Sequence, residues 1–202
     1  MSAKAWRLRV LRQLARMAAR VGLGRLMQSE TVRGLKLRAG RQVTAPLVGE
    51  IVGLLDAAGI EHWVCGGWGV DALAGHQTRP HHDLDVVIDA AAHDSPAAVE
   101  AALAGRGLRL VAIETSIQPM PTVWVFSDGA GVTVEVLPVD RSRPPFDRAE
   151  AFATGRIAET PVRCVSASTQ RALRTGYETR PVDLADLAIL DGLDGSDDPV
   201  AP

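Results

Sequence analysis

Two carboxylates lie close together in the extended run DLDVVID, where Asp83 and Asp85 flank a leucine. On a strand, residues i and i+2 point to the same face, so both side chains would share one position. Carboxylates held that close repel each other unless a cation lies between them, and hard oxygen ligands suit Mg²⁺ together with substrate phosphates. The pair therefore predicts half of a magnesium site.

A glycine pair precedes these carboxylates. Gly66 and Gly67 separate a short apolar run at residues 63–65 from a helical pattern that begins at Trp68. Glycine allows the backbone to approach a ligand closely, and the first amides of a helix have no partner within the helix. Because such a turn suits a phosphate, we expect a phosphate site beside the carboxylates.

The remaining elements must position these groups. A third carboxylate, Glu135, interrupts the valines of the alternating run at residues 132–140. Hydrophobic periodicity and turn residues further predict helices at 46–58 and 96–105 and strands at 108–116 and 122–128. Beyond the Arg-Pro-rich segment at 141–148, we expect a small hairpin at 155–165, a helix capped by Ser166 and a last helix at 181–190.

This order divides the chain into four parts: a basic amphipathic arm and linker at 1–42, a core at 43–140, a hairpin with helices at 141–192, and a disordered acidic tail at 193–202. A length of 202 residues with 47% hydrophobic content allows one good core and a small second one. The sequence therefore predicts one or two domains.

Charge is distributed unevenly. Residues 1–42 hold eleven Lys and Arg against one acid, a net +10, and the rest hold eleven against twenty-three, a net −12. Residues 5–21 form an amphipathic pattern with an apolar arc opposite a row of arginines. We expect this helix to pack on the acidic body or on a second copy, in a monomer or a homodimer. The alternative partner is an anionic surface such as RNA or lipid headgroups.

Composition excludes several classes of protein. The two cysteines, Cys65 and Cys164, lie far apart, which argues against a zinc site or a disulfide framework. No apolar run approaches the roughly 20 residues needed to cross a bilayer, and arginines interrupt the N-terminal region where a secretory signal would be apolar. We therefore expect a cytoplasmic protein.

The order of strand, glycine pair, helix, D-x-D strand and a later strand with an isolated glutamate resembles the nucleotidyltransferase fold of the polymerase-β superfamily. GGWGVDALAG followed by TRPHHDLDVVI resembles one branch, the enzymes that adenylylate aminoglycosides and lincosamides. The resemblance covers about residues 45–140. It implies an α+β fold with a mixed sheet and helices on one side, a small C-terminal helical portion and an N-terminal basic helix.

The resemblance also implies a reaction. A nucleoside monophosphate, expected to be AMP from ATP, would pass to a hydroxyl of a small aminoglycoside- or lincosamide-like acceptor, with release of pyrophosphate. Asp83, Asp85 and Glu135 would hold one or two Mg²⁺ ions. Glu135 would act as base, as metal ligand or as both; the family often has Asp there. The nucleotide would be bound by Gly66, Gly67, Trp68, Arg79 and His81.

Other residues and functions stay open. Asp71 is interpreted as a partner of the helix dipole, and Asp183 and Asp186 as helix-surface acids, although these two, Tyr177 and Arg180 could face the nucleotide. One alternative function is a nucleotidyltransferase toxin that acts on tRNA or protein. A second is a nucleotide-binding module without turnover, and a third is a metal phosphohydrolase built on His81, His82 and Asp83.

Overall fold

A computed structural model of the chain describes residues 42–114, 122–175 and 179–194. The predicted arm helix at 5–21, Tyr177 and most of the predicted acidic tail lie outside the described residues. Within the described ranges, every helix is too short or too polar to cross a membrane.

The elements follow the predicted order. The helices are α1 (Ala45–Ala57), α2 (Gly66–Ala74), α3 (Ala97–Leu103), α4 (Ala167–Leu173) and α5 (Pro181–Asp194), with short 3₁₀ turns at Ala104–Arg106 and Ala149–Ala151. The strands are β1 (His62–Cys65), β2 (Asp83–Asp89), β3 (Arg109–Glu114), β4 (Val123–Ser127), β5 (Thr133–Val139), β6 (Phe152–Ile157) and β7 (Thr160–Val165). Each predicted strand and helix of the described ranges is present, with boundaries shifted by a few residues.

All seven strands form one mixed sheet in the order β3-β4-β5-β2-β1-β7-β6. β2 pairs in parallel with β5, and β1 pairs in parallel with β7, while the other neighbours are antiparallel. The predicted hairpin consists of β6 and β7. Because β7 pairs with β1, the sheet continues across the boundary predicted at residue 140.

Successive side chains along each strand point to opposite sides of the sheet, and both sides are apolar. Leu84, Val86 and Ile88 of β2 pack in the larger cluster, together with side chains of α1, α2 and α3. Val87 points the other way, into a smaller cluster that includes Phe146 from the segment after β5. Since Asp83 and Asp85 share the parity of Val87, they lie on the face of the smaller cluster, at the end of the strand that this cluster leaves uncovered.

Candidate active site

The three predicted carboxylates are brought together by the parallel pairing of β2 and β5. In this register Asp85 lies opposite Glu135, and Asp83 lies opposite Thr133 at the strand's first position. All three acids are half-buried. Directly paired residues on neighbouring strands have side chains within contact distance on one face. The pairing therefore collects three carboxylates near the starts of two central strands, although Glu135 is far from the two aspartates in sequence.

Asp85 lies at the centre of this group, and its electrostatic environment opposes ionisation. Burial raises the pKa of Asp85 well above its usual value, and the negative charges of Asp83 and Glu135 raise it further. Arg174 and Arg180 act in the opposite direction. On the other side, Asp85 pairs with Cys65, whose thiol also has a pKa raised well above its usual value by burial. A raised pKa disfavours the thiolate, which is the nucleophilic form of cysteine, and the carboxylates favour a bound cation.

Gly66 places the start of α2 against the Asp85 carboxylate. Its φ of 59° lies in the left-handed region, which an L-residue with a side chain rarely adopts. A Cβ atom at this position would lie 2.7 Å from Cγ of Asp85. Glycine is required here both for the turn and for the close approach, so the first turn of α2 stays directly beside the carboxylate group.

Gly67 has a different neighbour. A Cβ atom at Gly67 would lie 2.5 Å from Nδ1 of His81 and 2.6 Å from Nη2 of Arg79. The segment before β2 therefore packs on the backbone of the glycine turn. His81 is joined to the rest of the core through an isolated bridge with Val43, whose amide donates to the His81 carbonyl at 2.9 Å.

His81 belongs to a buried polar network around Asp71. Its Nε2 lies 2.5 Å from Oδ2 of Asp71, and both side chains are 2% exposed. The other carboxylate oxygen of Asp71 accepts hydrogen bonds from the amide and the hydroxyl of Thr78, at 3.1 and 2.5 Å. Although burial alone would raise it, these hydrogen bonds hold the pKa of Asp71 below its usual value. Asp71 is therefore ionised and fixes the loop that leads into β2.

The contact between His81 and Arg79 defines the tautomer of the histidine. Nη1 of Arg79 lies 3.0 Å from Nδ1 of His81. A guanidinium can only donate, so Nδ1 must accept and must be unprotonated. The ring proton is then on Nε2, from where it is donated to Asp71. His81 is thus a neutral link between an acid and a cation, and its ring also packs on the indole of Trp68, with the ring centroids 4.7 Å apart.

Asp186 of α5 joins two arginines at the glycine turn. Its carboxylate accepts from Nε and Nη2 of Arg79 at 3.1 and 3.2 Å, and from Nη2 of Arg174 at 2.8 Å. Nη2 of Arg174 also lies 3.4 Å from the Gly66 carbonyl oxygen. The same arginine donates to Gln170 through Nη1. The C-terminal helices are therefore connected by buried ion pairs to the turn that faces Asp85.

A second ion pair lies at the N-terminus of α5. Arg180 precedes Pro181, the first helical residue, and its Nε and Nη2 donate to the two carboxylate oxygens of Asp183 at 2.7 and 2.6 Å. The Arg180 amide also donates to Asp183, at 3.0 Å. Although burial alone would raise it, these bonds and the nearby charge of Arg174 hold the pKa of Asp183 below its usual value.

The structure corrects three interpretations made from the sequence. Asp183 and Asp186 are not helix-surface acids, because each is 2% exposed and paired with arginine. Asp71 is no simple partner of the helix dipole, since it bonds to His81 and Thr78. The presence of arginines at 79, 174 and 180 could have indicated that these acids are buried, because buried acids need cationic partners.

Of the predicted nucleotide-binding residues, Gly66 and Gly67 lie beside the carboxylates. Arg79 reaches the same region with a side chain that is 30% exposed, but it is paired with Asp186. Trp68 and His81 are 1% and 2% exposed and pack in the interior. Their predicted contacts with a nucleotide stay predictions, and the contacts present here are with the protein itself.

The donor set fits a hard divalent cation in part. Asp83, Asp85 and Glu135 offer carboxylate oxygens on adjacent strands, and their mutual repulsion is relieved by a cation. In the described part of the chain, no three His, Cys, Asp or Glu side chains form a ready-made metal cage. Mg²⁺ is commonly held by one or two carboxylates and completes its shell with water and substrate phosphates. The site therefore fits a Mg²⁺ ion that binds together with a phosphate substrate.

Comparison with known proteins shows which sequences this chain resembles. Residues 47–190 match the family described as Aminoglycoside-2''-adenylyltransferase. A lincosamide resistance protein from Staphylococcus haemolyticus is 45% identical over 40 residues, which make up 20% of this chain and 25% of that protein. The matched stretch thus spans only a quarter of that relative.

Two solved structures share the fold. The lincomycin-bound lincosamide antibiotic adenylyltransferase LnuA has a TM-score of 0.60 at 22% identity, over 76% of this chain and 99% of that one. ANT(2")-Ia in complex with adenylyl-2"-tobramycin has a TM-score of 0.54 at 19% identity, over 75% of this chain and 92% of that one. These similarities confirm the nucleotidyltransferase fold predicted from the sequence.

Proposed function

Because the chain belongs to the Aminoglycoside-2''-adenylyltransferase family, we propose that it transfers AMP from ATP to a hydroxyl group of a small antibiotic, with release of pyrophosphate. The observation that carries this proposal is the register of β2 and β5, which places Asp85 opposite Glu135 with Asp83 on the same face. Three carboxylates beside a glycine turn at a helix start provide groups for a metal, a proton and a triphosphate.

Asp83 and Asp85 would hold the Mg²⁺ ion, because they share one face of β2 and the environment of Asp85 favours a cation. When bound, Mg²⁺ neutralises charge on the triphosphate and stabilises the charge that develops around the α-phosphorus. Glu135 either completes this group of ligands or receives the proton.

Glu135 is the proposed general base. The acceptor oxygen forms a bond to the α-phosphorus while the bond from that phosphorus to the bridging oxygen of the β-phosphate breaks. The electron pair of the broken bond leaves with pyrophosphate, and the proton of the acceptor hydroxyl passes to the Glu135 carboxylate.

The glycine turn would bind the β- and γ-phosphates through backbone amides of Gly66 and Gly67. Arg79 would add a cation whose orientation is fixed by Asp186. Trp68 and His81 would act by supporting the turn, since both rings are buried against it. In this proposal the turn and Arg79 contact the nucleotide directly, and Trp68 and His81 do not.

The class of acceptor is supported by the names of the relatives, which include a lincosamide resistance protein and an enzyme bound to an adenylylated tobramycin. The test is incubation with each labelled nucleoside triphosphate, Mg²⁺ and a panel of aminoglycosides, lincosamides and bulk tRNA. We expect mass spectrometry to detect an antibiotic that is heavier by one AMP, with one pyrophosphate released for each product.

The control for this test is Asp89→Asn, at the far end of β2 and half-buried, which should retain activity. Labelling of tRNA alone would reject a small acceptor and support a macromolecular one. If no acceptor of either class became labelled while nucleotide still bound, the chain would be a binding module instead.

A further inference from the structure

The start of α5 presents a cation at a defined angle. Arg180 and Asp183 form a bidentate pair, and Asp183 also accepts from the Arg180 amide. The carboxylate is buried, with 3% of its side chain exposed, whereas 41% of the Arg180 side chain is accessible to solvent. A bidentate contact fixes the plane of a guanidinium, so Arg180 keeps one orientation while remaining within reach of a ligand.

This cation lies at the start of the helix that is bonded to the glycine turn through Arg174. Asp186 lies one helical turn after Asp183 on α5, and it accepts a hydrogen bond from Arg174. Arg174 also donates to the Gly66 carbonyl, and Gly66 packs directly on Asp85. These contacts bring the first turns of α5 next to the glycine turn. Asp183 therefore holds Arg180 at the edge of the candidate active site.

The two arginines differ in what they can do there. Arg174 has 6% of its side chain exposed and is bonded to Gln170, Gly66 and Asp186, so its contacts are internal. Arg180 has an accessible side chain, and the buried Asp183 orients it. A buried acid that positions an accessible arginine beside the predicted triphosphate site is an arrangement suited to binding a phosphate.

We propose that Arg180 binds the β- and γ-phosphates of the nucleotide and the pyrophosphate that leaves, and that Asp183 is the positioning residue for it. This inference rests on the proposed function for the identity of the ligand. Arg180 would neutralise charge on the leaving group, on the side of the site formed by α5, while the glycine turn binds the same phosphates through the backbone.

The first experiment measures binding of inorganic pyrophosphate with Mg²⁺ to the full chain by isothermal titration calorimetry. Arg180→Gln should weaken binding by about tenfold or more, as expected for loss of a charged hydrogen-bond donor. Arg180→Lys should fall between this variant and the wild type, because lysine keeps the charge but loses the planar fork. Arg156→Gln, at an exposed pair with Glu159 in the β6–β7 hairpin, is the matched control and should bind as the wild type does.

Asp183→Asn should also weaken pyrophosphate binding, and added effects in the double variant with Arg180→Gln should be small, since both act through one guanidinium. In turnover assays Arg180→Gln should raise KM for the nucleotide and leave KM for the acceptor unchanged. Equal binding of pyrophosphate by Arg180→Gln and the wild type would overturn the inference.

A second measurement needs no variant. Phenylglyoxal modifies accessible arginines, and peptide mass mapping of the wild type should show that Mg²⁺ with pyrophosphate protects Arg180 but not Arg156. Unchanged labelling of Arg180, or no binding of pyrophosphate at all, would refute the assignment even if Arg180→Gln failed to fold. Protection of Arg180 without transfer to any acceptor would support the role of Arg180 and reject the proposed function. Transfer to an acceptor without protection of Arg180 would support the proposed function and reject the role of Arg180.

Discussion

Two groups of buried or half-buried acids in the described part of the chain differ in what surrounds them. On β2 and β5, Asp85 has acids as its immediate neighbours, and burial together with those charges raises its pKa. Around α5 and the loop before β2, Asp71, Asp183 and Asp186 accept hydrogen bonds from arginine, histidine or threonine. There the pKa values of Asp71 and Asp183 are lowered despite burial.

This difference separates positions that stabilise the fold from positions reserved for a ligand. A buried acid with its hydrogen bonds satisfied holds neighbouring segments together, and removing it leaves buried cations without a partner. A group of acids whose own charges oppose ionisation costs stability until a cation binds. The acids around α5 and the loop before β2 therefore belong to the framework, whereas the acids on β2 and β5 are the ones that we propose for the chemistry, although both groups contain aspartates at short spacing.

The largest expected effect comes from Asp85→Asn. This variant should lose at least about a thousandfold in Mg²⁺-dependent transfer, because removal of a metal ligand removes several kcal/mol of charge stabilisation. Asp83→Asn should behave similarly. Without Mg²⁺ at neutral pH, the melting temperature of Asp85→Asn should equal or exceed that of the wild type, since a repulsive charge is gone. Near-wild-type turnover, or a large drop in melting temperature, would place Asp85 in the framework.

Asp186→Asn should have the opposite profile. We expect it to lower the free energy of unfolding by about 3–5 kcal/mol, because Arg79 and Arg174 would lose a buried charged partner. Urea denaturation measures this directly. Asp191→Asn is the matched control on the same helix: its pair with Arg171 is exposed, and the cost should be about 1 kcal/mol or less. Equal costs for the two variants would contradict the assignment of Asp186 to the framework.

Glu135→Gln tests the role of one member of the carboxylate group. If Glu135 takes the proton, kcat should fall by about a hundredfold or more while nucleotide affinity changes little. Single-turnover kinetics and equilibrium binding of the nucleotide distinguish the two quantities. A loss confined to Mg²⁺ or nucleotide binding would reassign Glu135 from base to metal ligand.

The sequence predicted the local parts of this arrangement. The spacing of Asp83 and Asp85 follows from the two-residue period of a strand, and Ser166 caps α4 as expected, since its hydroxyl accepts from the Thr169 amide. The resemblance to a known family supplied Glu135 as the third acid. These inferences depend on neighbours in sequence or on a motif, so no knowledge of the packing was needed.

The burial of individual side chains could not be predicted in the same way, because it depends on tertiary packing. The burial of Asp186 depends on α5 lying against α2 and on Arg79, which is 107 residues away along the chain. A helix that begins RPVDLAD has the same pattern whether its acids face solvent or an arginine from another element. The burial of Trp68 was equally hard to predict, because the family pattern pointed to a nucleotide contact, which stays a prediction, and not to the packing of its ring in the core.

The smallest expected effect concerns acid pH and the Arg180–Asp183 pair. A carboxylate whose pKa is lowered on folding contributes stability that is fully present above the unfolded value near 3.9 and is lost as the pH falls through the folded value. At pH 7, Asp183→Asn should lower the free energy of unfolding by about 1–2 kcal/mol, since one partner is partly exposed to solvent. The difference between variant and wild type should shrink as the pH falls below about 4, because the wild type then loses the same charge. Urea midpoints at pH 7, 5, 4 and 3 measure this difference, and one that grows toward acid pH would mean that Asp183 is not an ionised member of the framework.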